Sequence, residues 1–200
     1  MITYVIIGIT CLVSIISFQN DWLFNQLSYS PYTIQRDRSK GYQMLTHGFV
    51  HADYSHLLFN MLSLFFFAPA LENSVFSTGE FIFLYLSAIV VAALPSYKKH
   101  QNNYAYRAVG ASGAVSAVLF SCVLFMPWSV IYIKFIIPIY FILFALGYVI
   151  YSYVMGKRQS DNIGHDAHLW GALYGLVFTL ITHPQALPYF IDQLQHPPFL

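Results

Sequence analysis

Length, composition and charge already narrow the class of protein. Of the 200 residues, 58% are hydrophobic and only 8% are charged, whereas soluble domains carry about 25% charged residues to hydrate their surface. So few charges predict that lipid, not water, surrounds most of the chain. The net charge of +1 argues against a nucleic-acid-binding protein, which needs a clustered basic face.

Six apolar stretches are long enough to cross a bilayer, which takes about 20 helical residues. They lie at about 2–18, 54–71, 80–96, 109–126, 129–154 and 167–182. We therefore predict an all-α membrane protein with six transmembrane helices in one domain, residues 1–200. The first stretch has no Lys or Arg before it and no small-residue cleavage site, so we interpret it as a retained span and not a signal peptide.

The longest polar segment, residues 19–53, separates the first two spans. It mixes aromatic residues such as Trp22, Tyr29 and Tyr42 with charged residues. This mixture is typical of structure that lies in the interfacial belt of a membrane. The tail after residue 182 contains four prolines, which disfavour a long helix there.

The first group of unexpected polar residues lies at the start of the second span. His56 and Asn60 are four residues apart and share one face of a helix. An imidazole and a carboxamide that point together into a bundle can both donate hydrogen bonds to a developing negative charge, as an oxyanion hole requires. A pair that only joins neighbouring helices is the alternative.

The second group is Gly110-Ala111-Ser112-Gly113 at the start of the fourth span. Glycine permits tight turns and close approach of other groups. Backbone N–H groups at a helix N-terminus are unpaired and attract an anion. Ser112 is therefore a candidate nucleophile with oxyanion donors in its own backbone. Close packing by small residues is the alternative explanation.

The third group begins with His168 in the sixth span. Gly171 and Gly175 follow at i+3 and i+7, so one helix face can press against a neighbour. The fourth span, rich in small residues, is the natural partner, and docking the two predicts that His168 lies beside Ser112. Histidine titrates near neutral pH and can take the serine proton. Asp166, only two residues away, would point elsewhere, so we predict a Ser–His dyad.

The three groups, in this order on six spans, resemble the motifs of the rhomboid intramembrane serine proteases. The matching patterns are HxxxN from His56 to Asn60, GxSG over residues 110–113, and AHxxGxxxG over residues 167–175. The resemblance extends from about Thr46 to the end of the sixth span. Each motif alone is weak, but the ordered set is specific.

The resemblance implies a six-helix bundle with a water-filled cavity that opens to one side of the membrane, with Ser112 at its floor. His168 would activate Ser112, while His56, Asn60 and the Ser112 backbone would hold the oxyanion. Gly110 and Gly113 would serve helix packing. Substrates would be single-span membrane proteins, cut near the surface of a bacterial inner membrane, with lipid as the other partner. No cofactor, metal or nucleic acid is implied.

Two positions depart from the usual pattern of the family. Many members carry a Trp-Arg pair in the first loop, where this chain has Tyr42 and Gln43. Several place a tyrosine four residues after the serine, stacked on the histidine, where this chain has Ser116. We therefore expect His168 to be held in another way, by Trp170 or by glycine packing.

Charge distribution and family resemblance predict opposite orientations in the membrane. Eight of the nine Lys and Arg residues fall in the loops that follow the first, third and fifth spans, here called the first, third and fifth loops. The positive-inside rule makes these loops cytoplasmic. Bacterial rhomboids turn that side away from the cytoplasm, and we take the family orientation as the expectation. The eight residues are Arg36, Arg38, Lys40, Lys98, Lys99, Arg107, Lys157 and Arg158.

Four other functional classes fit the sequence less well. His47 and His51 form HxxxH, but a zinc protease needs glutamate where Gly48 stands. A haem between His56 and His168 would leave the GxSG motif unexplained. A transporter would show a broken-helix pair or an inverted repeat, which we do not find. A non-catalytic relative that escorts membrane segments could use the same fold, and only the intact Ser–His pair argues against it.

Overall fold

The structure is a computed structural model that describes residues 1–133, 136–158 and 164–198. Lys134, within the predicted fifth span, lies outside the described residues. Residues 159–163, in the middle of the predicted fifth loop, lie outside them as well. The α-helices are α1 (Ile2–Phe18), α2 (Asp21–Leu27), α3 (Pro31–Arg36), α4 (Gln43–Thr46), α5 (Tyr54–Ser74), α6 (Thr78–His100), α7 (Ser112–Val123), α8 (Phe141–Arg158), α9 (His165–Thr182) and α10 (Ala186–Gln195). Two 3₁₀ turns, Arg38–Tyr42 and His47–Phe49, flank α4, and one hairpin pairs β1 (Val130–Ile133) with β2 (Ile137–Tyr140).

The all-α class is confirmed, with the small hairpin as an addition to it. Within the described part of the chain, α5 and α6 are long and apolar enough to cross a membrane by themselves. α1 and α7 are apolar but shorter, with 17 and 12 residues. The number of membrane crossings stays a prediction.

The region predicted as the fifth span, 129–154, differs most from expectation. Its first part is the β1–β2 hairpin, and the helix begins only at Phe141. The β-branched Ile131 and Ile133 favour extended backbone. Pro138 would remove a hydrogen bond from a helix interior and clash with the preceding turn. Apolar composition alone does not distinguish such a hairpin from the start of a membrane helix.

The other predicted boundaries shift by a few residues. α7 begins at Ser112, not at 109, because Gly110, two residues earlier, turns the chain with a φ of +116°. α5 and α6 continue a few residues beyond the predicted second and third spans. The tail forms the ten-residue helix α10, with Pro188 in its first turn, where the missing N–H leaves no helical bond unmade.

α7 is the central element, since every residue from Gly113 to Val123 is buried. α5, α6, α8 and α9 all pack against it. α1 lies outside this group against α5. Its N-terminus is capped by Glu72 at the end of α5, whose carboxylate accepts hydrogen bonds from the N–H groups of Ile2 and Thr3 and from the Thr3 hydroxyl.

α9 packs on α7 backbone against backbone. A Cβ atom added at Gly171 would lie 2.8 Å from the carbonyl carbon of Gly113 and collide with its oxygen. One added at Gly175 would lie 2.6 Å from the Cα atom of Ala117. Gly113 in turn faces α6, where a Cβ atom would lie 2.7 Å from that of Ala92. Only hydrogen fits at these contacts, so the glycines set the separation of the three helices.

The α7–α9 contact predicts the effect of Gly175→Ala. The added methyl group has to push the helices apart, and overpacking of this kind costs about 1–3 kcal/mol. We expect a lower unfolding temperature in detergent micelles, measured by intrinsic fluorescence. Gly147→Ala in α8 is the matched control, because a Cβ atom there meets nothing within 4 Å. Equal destabilisation by the two changes would contradict the packing argument.

Candidate active site

Gly110 shapes the loop that leads into α7. Its φ of +116° lies in the left-handed region, where a side chain would be strained. Its N–H donates to the carbonyl of His47 at 2.9 Å. A Cβ atom added at Gly110 would lie 2.7 Å from Nε2 of His56, so the imidazole rests directly on the glycine. The glycine therefore provides both the turn and the space that His56 occupies.

Ser112 is the first residue of α7 and is half-buried. The first N–H groups of a helix have no partner within it and carry the positive end of its dipole. The carbonyl oxygen of Ser112 accepts a hydrogen bond from the Ser116 hydroxyl at 2.8 Å. The hydroxyl of Ser112 therefore stands at a helix end that favours negative charge.

His168 lies in the first turns of α9, one turn before Gly171. Because Gly171 touches the backbone of Gly113, the turn of α9 that bears His168 runs alongside the start of α7. The carbonyl oxygen of Ala167 lies 3.5 Å from the place that a Cβ atom added at Gly113 would take. The contact between the two helices thus brings the His168 turn to the end of α7 that begins with Ser112.

Two rings lie against His168, that of His165 edge-on at a centroid distance of 5.9 Å and that of Tyr148 of α8. The ring centroids of Tyr148 and His168 are 5.9 Å apart and the planes of these two rings differ by 28°. The Tyr148 hydroxyl is 2.6 Å from Oγ of Ser116. Trp170, which the sequence offers for this role, is 47% exposed to solvent. No sequence motif marks Tyr148, because its partners lie on other helices.

His56 and Asn60 share one face of α5, but they have different partners. The ring of His56 lies on Gly110, and its backbone N–H is capped by Asp53 at 2.8 Å. Nδ2 of the buried Asn60 side chain donates to the carbonyl oxygen of His56 at 2.9 Å. His56 is thus in direct contact with the loop before Ser112, whereas Asn60 is hydrogen-bonded within its own helix.

His51 holds the loop at the residue before the serine. Its Nε2 accepts a hydrogen bond from the N–H of Ala111 at 3.3 Å. Its Nδ1 is 2.9 Å from Oγ of Ser14, which donates to the carbonyl of Phe49 at 3.0 Å. Burial, with a smaller contribution from His56, lowers the pKa of His51 to about 3. The ring is therefore neutral near pH 7 and can act as an acceptor.

Because Ser14 donates to Phe49, Nδ1 of His51 donates to Oγ of Ser14. The one lone pair of the neutral ring, on Nε2, is taken by the N–H of Ala111 and is not free to bind a metal. Over residues 1–133, 136–158 and 164–198, no three His, Cys, Asp or Glu side chains converge as a metal site would require. Asp166, two residues before His168, forms an ion pair with Lys99 at 2.7 Å. That pair joins the end of α6 to the start of α9.

The long first loop also supports the segment that leads into α7. The N–H of Tyr29 donates to the carbonyl of Ala108 at 2.9 Å, and the N–H of Ala108 donates to the carbonyl of Tyr29 at 3.0 Å. His47, whose carbonyl accepts from Gly110, donates from Nδ1 to the carbonyl of Gln43 at 2.9 Å. Burial lowers the pKa of His47 to about 4. The first loop is therefore a scaffold for the segment that ends at the candidate nucleophile.

The fold and the site together define a membrane helical bundle with a serine and a histidine at one end of two packed helices. The model of a family described as the rhomboid domain matches residues 38–185, most of the chain. The chain therefore belongs to the rhomboid family, as the three motifs indicate. Rhomboids are integral membrane proteins, and the family includes serine proteases that act on transmembrane substrates within the membrane.

Three relatives give the range of similarity. YdcA of Bacillus subtilis (strain 168), a rhomboid protease by name, is 29% identical over 170 residues, which cover 80% of this chain and 81% of YdcA. The mitochondrial RHOMBOID-like protein 12 of Arabidopsis thaliana is 26% identical over 75% of this chain and 50% of its own length. The mitochondrial presenilin-associated rhomboid-like protein of Homo sapiens is 29% identical over 70% of this chain and 38% of its own length.

The buried histidines predict how stability changes with pH. The pKa values of His47 and His51 in the folded protein, about 4 and about 3, lie below the ordinary 6.5. The unfolded chain therefore takes up protons first as the pH falls. The contribution of these two histidines to stability is fully present above about pH 6.5 and is lost progressively as the pH falls toward their pKa values in the folded protein.

We expect the unfolding temperature of wild type to fall between pH 7 and pH 5, and to fall less steeply in His51→Gln. His196→Gln, in the exposed tail, is the control and should keep the wild-type slope. Identical slopes in wild type and His51→Gln would show that His51 is not a buried neutral acceptor.

Proposed function

We propose that this chain is an intramembrane serine endopeptidase, with Ser112 as nucleophile and His168 as general base. The observation that carries the proposal is the backbone contact of Gly171 on Gly113. Gly113 follows the serine directly and Gly171 lies one turn after the histidine, and only glycine allows the helices to approach so closely. Membership of a family that includes serine proteases supports the same reaction.

The proposed reaction follows from the roles of these groups. His168 takes the proton of the Ser112 hydroxyl while Oγ attacks the carbonyl carbon of the scissile peptide bond. The tetrahedral intermediate collapses, the C–N bond breaks, and His168 returns the proton to the leaving amine. Water, activated by the same histidine, then hydrolyses the acyl-enzyme and releases the new carboxylate.

The developing oxyanion needs preorganised donors in a site of low dielectric constant. The backbone N–H groups at the start of α7 suit this role, because helix N-termini favour negative charge. His56, whose ring lies on Gly110, is the first side-chain donor. Asn60 is the second, provided that its amide turns from the carbonyl of His56 toward the substrate.

The proposed setting is a single domain, residues 1–200, whose helices α1 and α5–α9 cross the membrane six times. Single-span membrane proteins would reach the site from the lipid and be cut near the bilayer surface. A bacterial cell membrane is favoured because the similarity to YdcA covers about four fifths of both chains. The two mitochondrial relatives extend well beyond the matched region.

Binding of transmembrane segments without cleavage is the second candidate function. Two of the relatives are named rhomboid-like and not rhomboid protease, and membership of the family does not by itself supply catalysis. The same fold would serve both functions. The two differ only in whether Ser112 reacts.

Substitution of the reacting groups tests the proposal. Purified protein in liposomes is incubated with a labelled single-span substrate. We expect Ser112→Ala and His168→Ala to abolish cleavage. His56→Ala should lower kcat by about 10²–10³, the typical effect of losing one oxyanion donor. Ser63→Ala, a serine bonded to its own helix in α5, is the control and should cleave as wild type does.

Equal cleavage by all variants would mean that another site is responsible. Absence of cleavage by folded wild type that still binds the substrate would favour the non-catalytic function.

A further inference from the structure

We propose that Tyr148 is a positioning residue for His168, and that Ser116 anchors it. This inference rests on the proposed protease function and names a residue that none of the three motifs includes. The ring reaches the histidine from α8, whereas the family's usual tyrosine position, four residues after the serine, holds Ser116.

A continuous chain of contacts joins Ser112 to His168 through these two residues. The Ser116 hydroxyl has one hydrogen, and it donates to the Ser112 carbonyl at 2.8 Å. The Tyr148 hydroxyl, 2.6 Å away, must therefore donate to Oγ of Ser116. At the other end of the chain of contacts, the ring of Tyr148 is stacked on the imidazole of His168, with the two ring centroids 5.9 Å apart. Movement of α8 would consequently disturb the histidine and the start of α7 together.

The surroundings of Tyr148 leave its ring little freedom. Phe144, one turn earlier in α8, lies at a centroid distance of 5.8 Å, and Phe120 of α7 lies at 5.7 Å. Ser116 is 1% exposed, so the hydrogen bond that fixes the Tyr148 hydroxyl does not compete with water. Aromatic rings in such contacts stabilise each other beyond the burial of their surface. The tyrosine is thus fixed at both ends.

Such a ring affects the general base in two ways. It restricts rotation of the imidazole, which keeps the reacting nitrogen directed at the nucleophile, and misplacement by about 1 Å can cost about 10²-fold in rate. Its negative face also favours the imidazolium that forms when His168 takes the serine proton, because a cation within about 6 Å of a ring centroid is attracted to it. Both effects act on the chemical step and not on substrate binding.

Four variants test the assignment. Tyr148→Leu removes the ring, Tyr148→Phe removes only its hydroxyl, and Ser116→Ala removes the anchor. The double variant Ser116→Tyr with Tyr148→Ser moves the ring to the other helix. Tyr153→Leu, an exposed tyrosine of the same helix, is the matched control.

We expect Tyr148→Leu to lower kcat by about 10- to 100-fold with KM changed less than about threefold, since the ring acts on base geometry. Tyr148→Phe and Ser116→Ala should lower kcat less, by about 3- to 10-fold, the effect of losing one hydrogen bond. In all three single variants, the midpoint of the acidic limb of the pH–rate profile should differ from that of wild type. The double variant should recover part of the lost kcat.

Wild-type kcat in Tyr148→Leu, at an unchanged pH profile, would overturn the inference while leaving the protease proposal intact. Inactive wild type would instead overturn the protease proposal. Should Tyr148→Leu fail to fold, Tyr148→Phe and Ser116→Ala decide by the same measurements. A lower unfolding temperature with unchanged kcat and pH profile would indicate a purely structural role and would also overturn the inference.

A second inference concerns the direction in which the site opens, and it rests on charge. α5, α7 and α9 begin at the end of the bundle that bears the site, and α6 and α8 end there. The loops that join them, with the long first loop, therefore lie on the site's side. These are the loops that hold eight of the nine Lys and Arg residues. The opposite end, within the described residues, carries the acidic Glu72, Glu80 and Asp192 and no Lys or Arg.

We infer that the site opens to the cytoplasm, contrary to the expectation from the family. Loops with excess Lys and Arg are retained on the cytoplasmic side, and short loops count most. Even without the long first loop, the third and fifth loops hold Lys98, Lys99, Arg107, Lys157 and Arg158. Substrates would then be single-span proteins cut at the cytoplasmic end of their spans.

Cysteine accessibility tests the orientation without any need for activity. The two native cysteines, Cys11 and Cys122, are replaced by alanine, and single cysteines are introduced by Tyr104→Cys on the site's side or Gln195→Cys at the opposite end. Both positions are exposed. Cells of a bacterial host are then treated with a membrane-impermeant maleimide, before and after permeabilisation.

We expect Gln195→Cys to be labelled in intact cells and Tyr104→Cys only after permeabilisation. The reverse pattern, or labelling of both in intact cells, would overturn the inference. The result is the same in a Ser112→Ala background, so it does not depend on whether the chain is a protease.

Discussion

The close approach of α7 and α9 is the constraint on which the rest of the site depends. Membrane helices gain nothing from expelling water from one another, so their association relies on van der Waals contact and hydrogen bonds between well-fitted surfaces. Gly171 and Gly175 allow this contact because each faces backbone atoms of α7. A single methyl group at either position would displace α9. The histidine one turn before Gly171 would move with it, away from the first residue of α7.

A second requirement is that the loop before Ser112 keeps one shape. The structure meets it with neutral buried histidines and not with charged pairs. His51 accepts from Ala111, and the carbonyl of His47 accepts from Gly110. A buried polar group that lacks a partner is costly, so a fully bonded set of this kind holds one geometry. The same burial that keeps the His47 and His51 rings neutral makes the fold sensitive to acid.

The helical class and the candidate site residues were accessible from sequence because their signals are local. His56 and Asn60 share a helix face through their spacing of four, and the glycine stripe after His168 follows the same period. The place of Tyr148 was not accessible, since it is defined by contacts with Ser116 and His168 on two other helices. The hairpin before α8 was missed because apolar β-branched residues suit a strand and a membrane helix equally by hydropathy.

The claim that Ser112 is an activated nucleophile is tested most directly by its covalent chemistry. Folded protein is treated with a serine-reactive fluorophosphonate, and the modified residue is mapped by mass spectrometry. The account predicts one adduct, on the peptide that contains Ser112, and its loss when His168 is replaced by alanine. An adduct on another serine, or no adduct on protein that is shown to be folded, would contradict it.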